Sequence, residues 1–179
     1  MPAAHRLHPR RAPTPGTCRN HKTMRLRLIA VGTRPPPWVR QAYEEYSRRL
    51  GQQLRLELIE IEPGPRSPGK SPAKAMAAEA RKILSRVREQ EFVVALDERG
   101  GGLTTRALSD WLSRRMQAGR DLAFLIGGPD GFAPEVLSRA DLTLSLSRLT
   151  LPHALVRVVL AEQLYRALSI LSHHPYHRD

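Results

Sequence analysis

The sequence predicts a three-layer α/β fold built on a mostly parallel sheet of five or six strands. Short apolar runs, which suit strands, alternate along the chain with longer segments whose apolar residues recur at helical spacing. Parallel neighbours in a sheet need crossover connections, and the intervening helices supply them. The 179 residues suit one domain that buries its core without disulfides or metal ions.

The first half of the chain contributes two predicted strands. An apolar strand at 26–31 ends at Gly32, and a helix follows the three prolines at 35–37. The strand at 54–61 alternates apolar and polar residues, which indicates an outer position in the sheet. Residues 62–72 include four prolines and two glycines and are expected to form a loop.

Three further strands follow in the second half. A helix over 73–88 precedes a wholly apolar strand at 92–96, and the glycines after it indicate a mobile turn at 97–102. Thr104 or Thr105 caps the next helix. The remaining elements are a strand at 121–126, a short helix at 134–140, a strand near 142–146 and a last helix at 153–171. This last helix is apolar around most of its girth, so it is either central or packed against a second subunit.

The fourth strand runs into a glycine-rich turn, GGPDG at 127–131, whose backbone can approach a ligand closely. The turn lacks the Lys-Ser/Thr ending of a phosphate loop and the spacing of a dinucleotide fingerprint. Alone, it fits a tight structural turn equally well. The ends of three predicted strands, at Leu96, Gly127 and Leu146, share the carboxyl edge of the sheet, where α/β folds usually bind small molecules. The sequence therefore predicts a ligand site there.

The charge of the chain favours a polyanionic partner. The formal net charge is +12, and residues 1–23 hold five Lys or Arg and no acidic residue, so the remainder carries +7. RNA or DNA is favoured over a membrane surface, because basic residues near phosphates release counterions. Charge alone supports a basic protein without such a partner almost as well. Residues 1–23, rich in Pro, Arg and His, are expected to be a disordered extension and a candidate non-native start, ahead of a single domain at 24–179.

Several chemistries lack the residues that they need. The single cysteine, Cys18, excludes a disulfide framework and a cysteine-rich zinc site, and no serine lies in a Gly-x-Ser-x-Gly elbow. His173, His174 and His177 lack the accompanying ligands of a metal site, so no metal is expected. Charged residues interrupt the most apolar run, so we expect no membrane partner and a reducing, cytoplasmic location.

Distinctive strings of residues carry a resemblance to one family. They are MRLRLIAVGT at 24–33, Trp38, EEY at 44–46, ELIEI at 57–61, LIGGPDG at 125–131, LTLPHALVRVVLAEQLYRA at 149–167 and HPYHRD at 174–179. Together they resemble the bacterial large-subunit ribosomal RNA pseudouridine N3-methyltransferases of the SPOUT class. The resemblance covers 24–179, and the T-L-P-H string and the closing H-P-Y-H-R-acid string are its most distinctive parts.

The resemblance implies a single SPOUT methyltransferase domain with a C-terminal trefoil knot, an exception to the rule that chains avoid knots. It also implies a homodimer, a methyl acceptor in the large-subunit RNA of assembled ribosomes, and S-adenosylmethionine as cofactor. Carried onto this sequence, the positions that hold the cofactor are Leu96, Gly127, Leu146, Ser147, Arg148, Leu149, Thr150 and Leu151. They include the three strand ends already identified from the pattern.

Methyl transfer from a sulfonium requires alignment of the nucleophile and removal of the N3 proton. The candidate catalytic residues are in the C-terminal tail: His174, Tyr176, His177 and Arg178. His177 can accept the proton, Arg178 can stabilise the imide anion or grip phosphate, and Tyr176 can stack on a base. A tail that is only pinned against a partner subunit stays open. Two other functions stay open as well, a non-catalytic ribosome- or RNA-binding factor and a tRNA methyltransferase of the same class.

Overall fold

The computed structural model describes residues 24–51, 54–69 and 71–176. Strands and helices alternate through that part of the chain in the predicted order. They are β1 (Arg25–Val31), α1 (Pro37–Leu50), β2 (Arg55–Ile61), α2 (Ala73–Arg86), β3 (Phe92–Gly102), α3 (Thr105–Ala118), β4 (Leu122–Ile126), α4 (Pro134–Arg139), β5 (Leu142–Ser145) and α5 (His153–Leu171). The expectations for residues 1–23, His177 and Arg178 lie outside the described residues.

The strands form one sheet in the order β2-β1-β4-β3-β5, and every neighbouring pair is parallel. We call the side where the strands end the carboxyl edge, and the side where they begin the amino edge. β4 is central, and all five of its residues are buried. β2 is an outermost strand with exposed charged residues among its buried ones, so its predicted position is confirmed.

Helices cover both faces of the sheet, which gives the three predicted layers. One core contains side chains of α1, α3 and α5, and the other contains side chains of α2 and α4. α5 packs between α1 and α3. Its core residues include Leu160, Ala161, Leu164, Ala167 and Leu168. The apolar girth of the last helix therefore follows largely from its central position.

The prediction of a mobile turn at 97–102 is wrong, because β3 continues to Gly102. The strand bulges after Leu96, and both Leu96 and Gly101 pair with Leu144 of β5. A Cβ on Gly100 would lie 2.7 Å from the backbone of Leu144, so only glycine fits this close approach. The glycines therefore permit a bulge against β5, and they do not end the strand.

Local signals set the ends of α3. Thr104 is its cap, since its hydroxyl accepts a hydrogen bond from Ala107 N at 3.1 Å. Thr105 instead donates to Gln163 Oε1 on α5 at 2.9 Å. Gly119 ends the helix in the left-handed conformation. Among the described residues, no helix has the length and apolar character needed to cross a bilayer.

Candidate functional site

A cavity opens at the carboxyl edge between the ends of β3, β4 and β5, with a volume of about 330 Å³. The predicted strand ends, at Leu96, Gly127 and Leu146, all line it. The start of α5, at His153 and Val156, closes it on the helical side. The volume lies within the range of small-molecule sites. The structure therefore brings the three strand ends together around one space, as the strand pattern predicts.

The glycine turn, residues 127–131, forms one wall and is compact because its backbone segments touch. Gly131 N donates to Gly128 O at 3.0 Å, and a Cβ on Gly127 would lie 2.9 Å from Gly131 O. Gly131 has a φ of +82°, in the left-handed region that favours glycine. A Cβ there would meet no atom within 4 Å, so the space beside it is open. At Gly131 the turn therefore borders the cavity with bare backbone.

The segment between β5 and α5 forms another wall of the cavity. Five of the predicted cofactor residues in this segment line the cavity, and Arg148 does not: the five are Leu146, Ser147, Leu149, Thr150 and Leu151. The other two predicted cofactor residues, Leu96 and Gly127, line the cavity from β3 and from the end of β4. Hydroxyl groups brace this segment, because Ser145 Oγ donates to Ser147 O at 2.7 Å and Leu149 N donates to Ser147 Oγ at 2.9 Å. Leu149 is 75 % exposed, so an uncovered apolar side chain borders the cavity.

Carboxylates that the sequence analysis did not single out also line the cavity. Asp97 and Glu98 belong to the bulge of β3, and Asp130 belongs to the glycine turn. Asp97 Oδ1 accepts from Arg99 N at 2.9 Å, and Thr150 Oγ1 donates to Glu98 Oε2 at 2.9 Å. Because the glycines indicated a mobile turn at 97–102, Asp97 and Glu98 were not predicted to line the site. An acidic pair directly after a buried strand was the signal that could have found them.

A buried arginine supports the wall formed by α5. Arg157 is 2 % exposed and donates to Glu60 Oε1 at 2.7 Å and to Gly32 O at 2.5 Å. Burial lowers the pKa of His153, one helical turn away, and the charges of Arg157 and Arg66 lower that pKa further. His153 is therefore neutral at physiological pH and adds no positive charge to the cavity wall.

Comparisons with known proteins decide the family. The family described as "Predicted SPOUT methyltransferase" matches residues 24–177. The chain belongs to the SPOUT methyltransferase family. The "Ribosomal RNA large subunit methyltransferase H" of Bordetella petrii is 54% identical over 155 residues, which are 87% of this chain and 99% of that protein. Proteins of the same name from Paraburkholderia phymatum and Stenotrophomonas maltophilia are each 50% identical over 155 residues, with the same coverage.

A solved structure has the same fold at low sequence identity. A probable methylase family protein from Haemophilus influenzae has a TM-score of 0.52 and 14% identity, covering 88% of this chain and 70% of that one. At this identity the likeness concerns the fold alone. The predicted α/β fold of the SPOUT class is thus confirmed, and the trefoil knot is what membership of the family implies.

In this SPOUT methyltransferase, the described part of the tail packs against α5. Tyr176 Oη donates to Glu162 Oε1 at 3.3 Å, and the Tyr176 ring centre lies 4.6 Å from that of Tyr165. The Arg166 guanidinium lies 5.0 Å from the Tyr176 ring centre. His174 is exposed, and its Nδ1 accepts from Tyr176 N at 3.3 Å. These contacts fix Tyr176 on the helix.

Burial raises the pKa of Tyr176 to about 12, and the charge of Glu162 also raises it. The hydroxyl therefore stays protonated at physiological pH. The ring is already packed against Tyr165 and Arg166. Tyr176 thus has the contacts of an anchor for the tail.

In residues 24–51, 54–69 and 71–176, no three His, Cys, Asp or Glu side chains are grouped so as to hold a metal ion.

The tail and the cavity lie on different faces of α5. None of the described tail residues lines the cavity. Glu162, which binds Tyr176, follows the cavity residue His153 by nine positions, or about two and a half helical turns and about 14 Å of rise. The structure therefore does not bring His174 and Tyr176 to the predicted cofactor residues within one chain.

Proposed function

We propose that this chain is an S-adenosylmethionine-dependent methyltransferase that modifies N3 of a pseudouridine in the large-subunit RNA of assembled ribosomes. The carrying observation is the cavity that Leu96, Gly127 and Leu146 line together at the carboxyl edge, in a chain of the SPOUT methyltransferase family. The names of relatives that are 50% and 54% identical support a large-subunit RNA substrate. The net charge of +12 supports an RNA partner, which it would meet in the cytoplasm.

The residues around the cavity fit an adenosyl sulfonium donor. Apolar side chains such as Ile126 and Val156 suit the adenine, and the bare backbone of the glycine turn suits its polar edge. The carboxylates of Asp97 and Glu98 suit ribose hydroxyls and favour a cationic ligand. The neutral state of His153 avoids charge repulsion with that ligand. When bound, the donor supplies an electrophilic methyl group.

The remaining work of the chain is to orient the acceptor base and to take its N3 proton. Tyr176 is a poor proton acceptor, because its phenol is protonated and donates to Glu162. His174 and His177 are then the candidate bases. Arg178 remains the candidate for stabilising the developing imide anion or for binding phosphate.

We infer that the chain acts as a homodimer in which the tail of one subunit serves the cavity of the other. The described tail and the cavity are on opposite faces of α5, so a partner subunit offers a way to combine them. Leu155 and Val159 of α5 are only half-buried and belong to neither core, so they supply apolar surface for such a contact.

The function is tested by nucleoside mass spectrometry of ribosomal RNA from cells with and without this protein. We expect 3-methylpseudouridine only where the protein is present, together with heat of binding in calorimetry with S-adenosylmethionine. Normal ribosome binding without that heat would favour a non-catalytic factor. Methylation of tRNA in place of ribosomal RNA would favour the other substrate class.

The tail assignment is tested by His177→Ala combined with Arg178→Ala. We expect loss of methylation with cofactor affinity nearly unchanged, because these residues act on the acceptor base. His173→Ala is the control, since His173 is an exposed neighbour with no proposed role. Methylation by the double variant at the normal rate would contradict the assignment.

Subunit mixing tests the shared site. A protein inactivated in the tail is refolded together with one inactivated in the cavity, such as Gly131→Val. If each tail serves the partner's cavity, a mixed dimer has one intact site of two. Random pairing makes about half of the dimers mixed, so about a quarter of the activity returns. If each tail serves its own cavity, each mixed dimer has a damaged residue in both sites and no activity returns.

A further inference from the structure

Behind the glycine turn lies a partly buried ion-pair network, centred on the buried Glu79, that the chemistry above does not use. Glu79 of α2 is 2 % exposed. Its Oε1 accepts from Gly64 N at 2.8 Å and from Arg66 Nη1 at 2.7 Å, and its Oε2 accepts from Arg66 Nη2 at 3.3 Å. A helix side chain thus binds both backbone and side chain of the proline-rich loop at 62–69.

Arg66 extends this network to the turn itself. Its Nε donates to Asp130 Oδ2 at 2.9 Å, and its Nη1 also donates to Gly64 O at 3.2 Å. The hydrogen bond with Glu79 is the main cause that raises the pKa of Arg66. The guanidinium is therefore a permanent charged bridge between Glu79 and Asp130.

The turn also touches Glu79 directly. A Cβ on Gly128 would lie 2.7 Å from Glu79 Oε2 and 3.0 Å from Arg66 Nη2. The backbone at Gly128 therefore rests on the carboxylate, with no side chain between them. Inside the turn, the hydrogen bond from Gly131 N to Gly128 O connects Gly128 with Gly131, which borders the open space.

The ion pair between Glu91 and Arg27 provides a control for Glu79. It allows an effect on the glycine turn to be distinguished from an effect on the stability of the whole fold. Glu91 is 1 % exposed, and its carboxylate accepts from Arg27 Nη1 at 2.7 Å. It resembles Glu79 in burial and in its arginine partner, but it lies at the amino edge and does not line the cavity. A substitution there perturbs a comparable ion pair far from the glycine turn.

We propose that Glu79 is a positioning residue that sets the shape of the glycine turn for cofactor binding, acting through Arg66, Asp130 and direct contact with Gly128. This inference rests on the proposed function for its cofactor, but its structural part concerns the turn alone. Loss of the charge of Glu79 leaves Arg66 without its main partner. The turn then loses its outer support and moves more freely.

The first experiment compares Glu79→Gln with Glu91→Gln by calorimetry with S-adenosylmethionine, with circular dichroism to verify folding. We expect the dissociation constant to rise about tenfold for Glu79→Gln, as for loss of a supporting partner behind a binding group. We expect less than a twofold change for Glu91→Gln, and unchanged ribosome affinity for both. Equal changes in cofactor affinity for the two variants would overturn the proposal.

The second experiment needs no cofactor. Amide hydrogen exchange at Gly128 and Gly131 should be faster in Glu79→Gln than in the parent protein, and unchanged in Glu91→Gln. Unchanged exchange in Glu79→Gln overturns the proposal even if the cofactor binds. If the parent protein binds no S-adenosylmethionine, the proposed function fails and the cofactor part of this inference fails with it, while exchange still decides whether Glu79 holds the turn.

A milder variant covers the case in which Glu79→Gln does not fold. Asp130 is partly exposed, so Asp130→Asn removes one arm of the network without burying an unpaired charge. We expect it to weaken cofactor binding in the same direction, and Asp130→Glu, which keeps the carboxylate, to restore most of the affinity. Equal affinities for Asp130→Asn and the parent protein would overturn the role of the bridge.

Discussion

Each edge of the sheet contains an ion pair between an arginine and a buried glutamate, but the surroundings of the two pairs differ. At the amino edge, Arg27 Nη1 and Glu91 Oε1 meet at 2.7 Å, and both residues are buried. At the carboxyl edge, Arg66 Nη1 and Glu79 Oε1 meet at the same distance, but Arg66 also reaches into the glycine turn. The first pair lies at the edge away from the cavity, and the second supports one wall of the cavity. The same type of ion pair thus stabilises the core at the amino edge and supports a wall of the open cavity at the carboxyl edge.

The largest effect on stability is expected at the amino edge. Glu91→Ala leaves the buried Arg27 without its main partner and should lower the free energy of unfolding by about 3–5 kcal/mol in urea titrations. Glu57→Ala is the matched control, because Glu57 is 55 % exposed and lies 3.8 Å from the same arginine. It should cost less than about 1 kcal/mol. A loss at Glu91 no larger than at Glu57 would contradict the importance of this pair.

Substitution of one glycine at each edge is expected to have an intermediate effect on stability and to distinguish the two edges. Gly131 at the carboxyl edge and Gly119 at the amino edge have φ of +82° and +68°, and a Cβ on either meets no atom within 4 Å. Each change to Ala should therefore cost a similar amount, about 1–2 kcal/mol, in thermal unfolding. Only Gly131→Ala should also weaken binding of S-adenosylmethionine. Equal loss of affinity in both variants would show that the difference between the edges is not functional.

The smallest effect is a pH dependence at the carboxyl edge. The folded-state pKa of His153 is below its ordinary value of 6.5, so the unfolded chain takes up the proton first as the pH falls. The contribution of His153 to stability is therefore constant well above pH 6.5 and declines as the pH falls through 6.5 toward the folded-state pKa. His153→Gln should remove this part of the pH profile in urea titrations. An unchanged profile would contradict the assignment.

Much of the fold could be predicted because its signals are local. Apolar runs, helical spacing and the cap at Thr104 identified the elements, and the parallel arrangement brought Leu96, Gly127 and Leu146 to one edge. The strand order could not be predicted, since it depends on pairings between distant segments. The same reason explains the error at 97–102, where glycines that indicate a turn pair with β5.

The supports of the site were harder to predict than its walls. Arg66 is 13 positions from Glu79 and 64 from Asp130, so no periodicity connects them. The packing of Tyr176 on α5 also depends on a contact between a helix and a tail that has no regular structure. Local patterns therefore located the backbone around the cavity, and only the folded arrangement identified the charges behind it.

The outermost strand β2 also bears on how copies of the molecule can associate. Only one of its sides pairs with another strand of the sheet, and such an edge can template the addition of a further strand. Arg55, Glu57 and Glu60 are exposed along this strand, so a second copy docked there would strip these charged side chains of water. Extension of the sheet by another strand at β2 is thereby disfavoured.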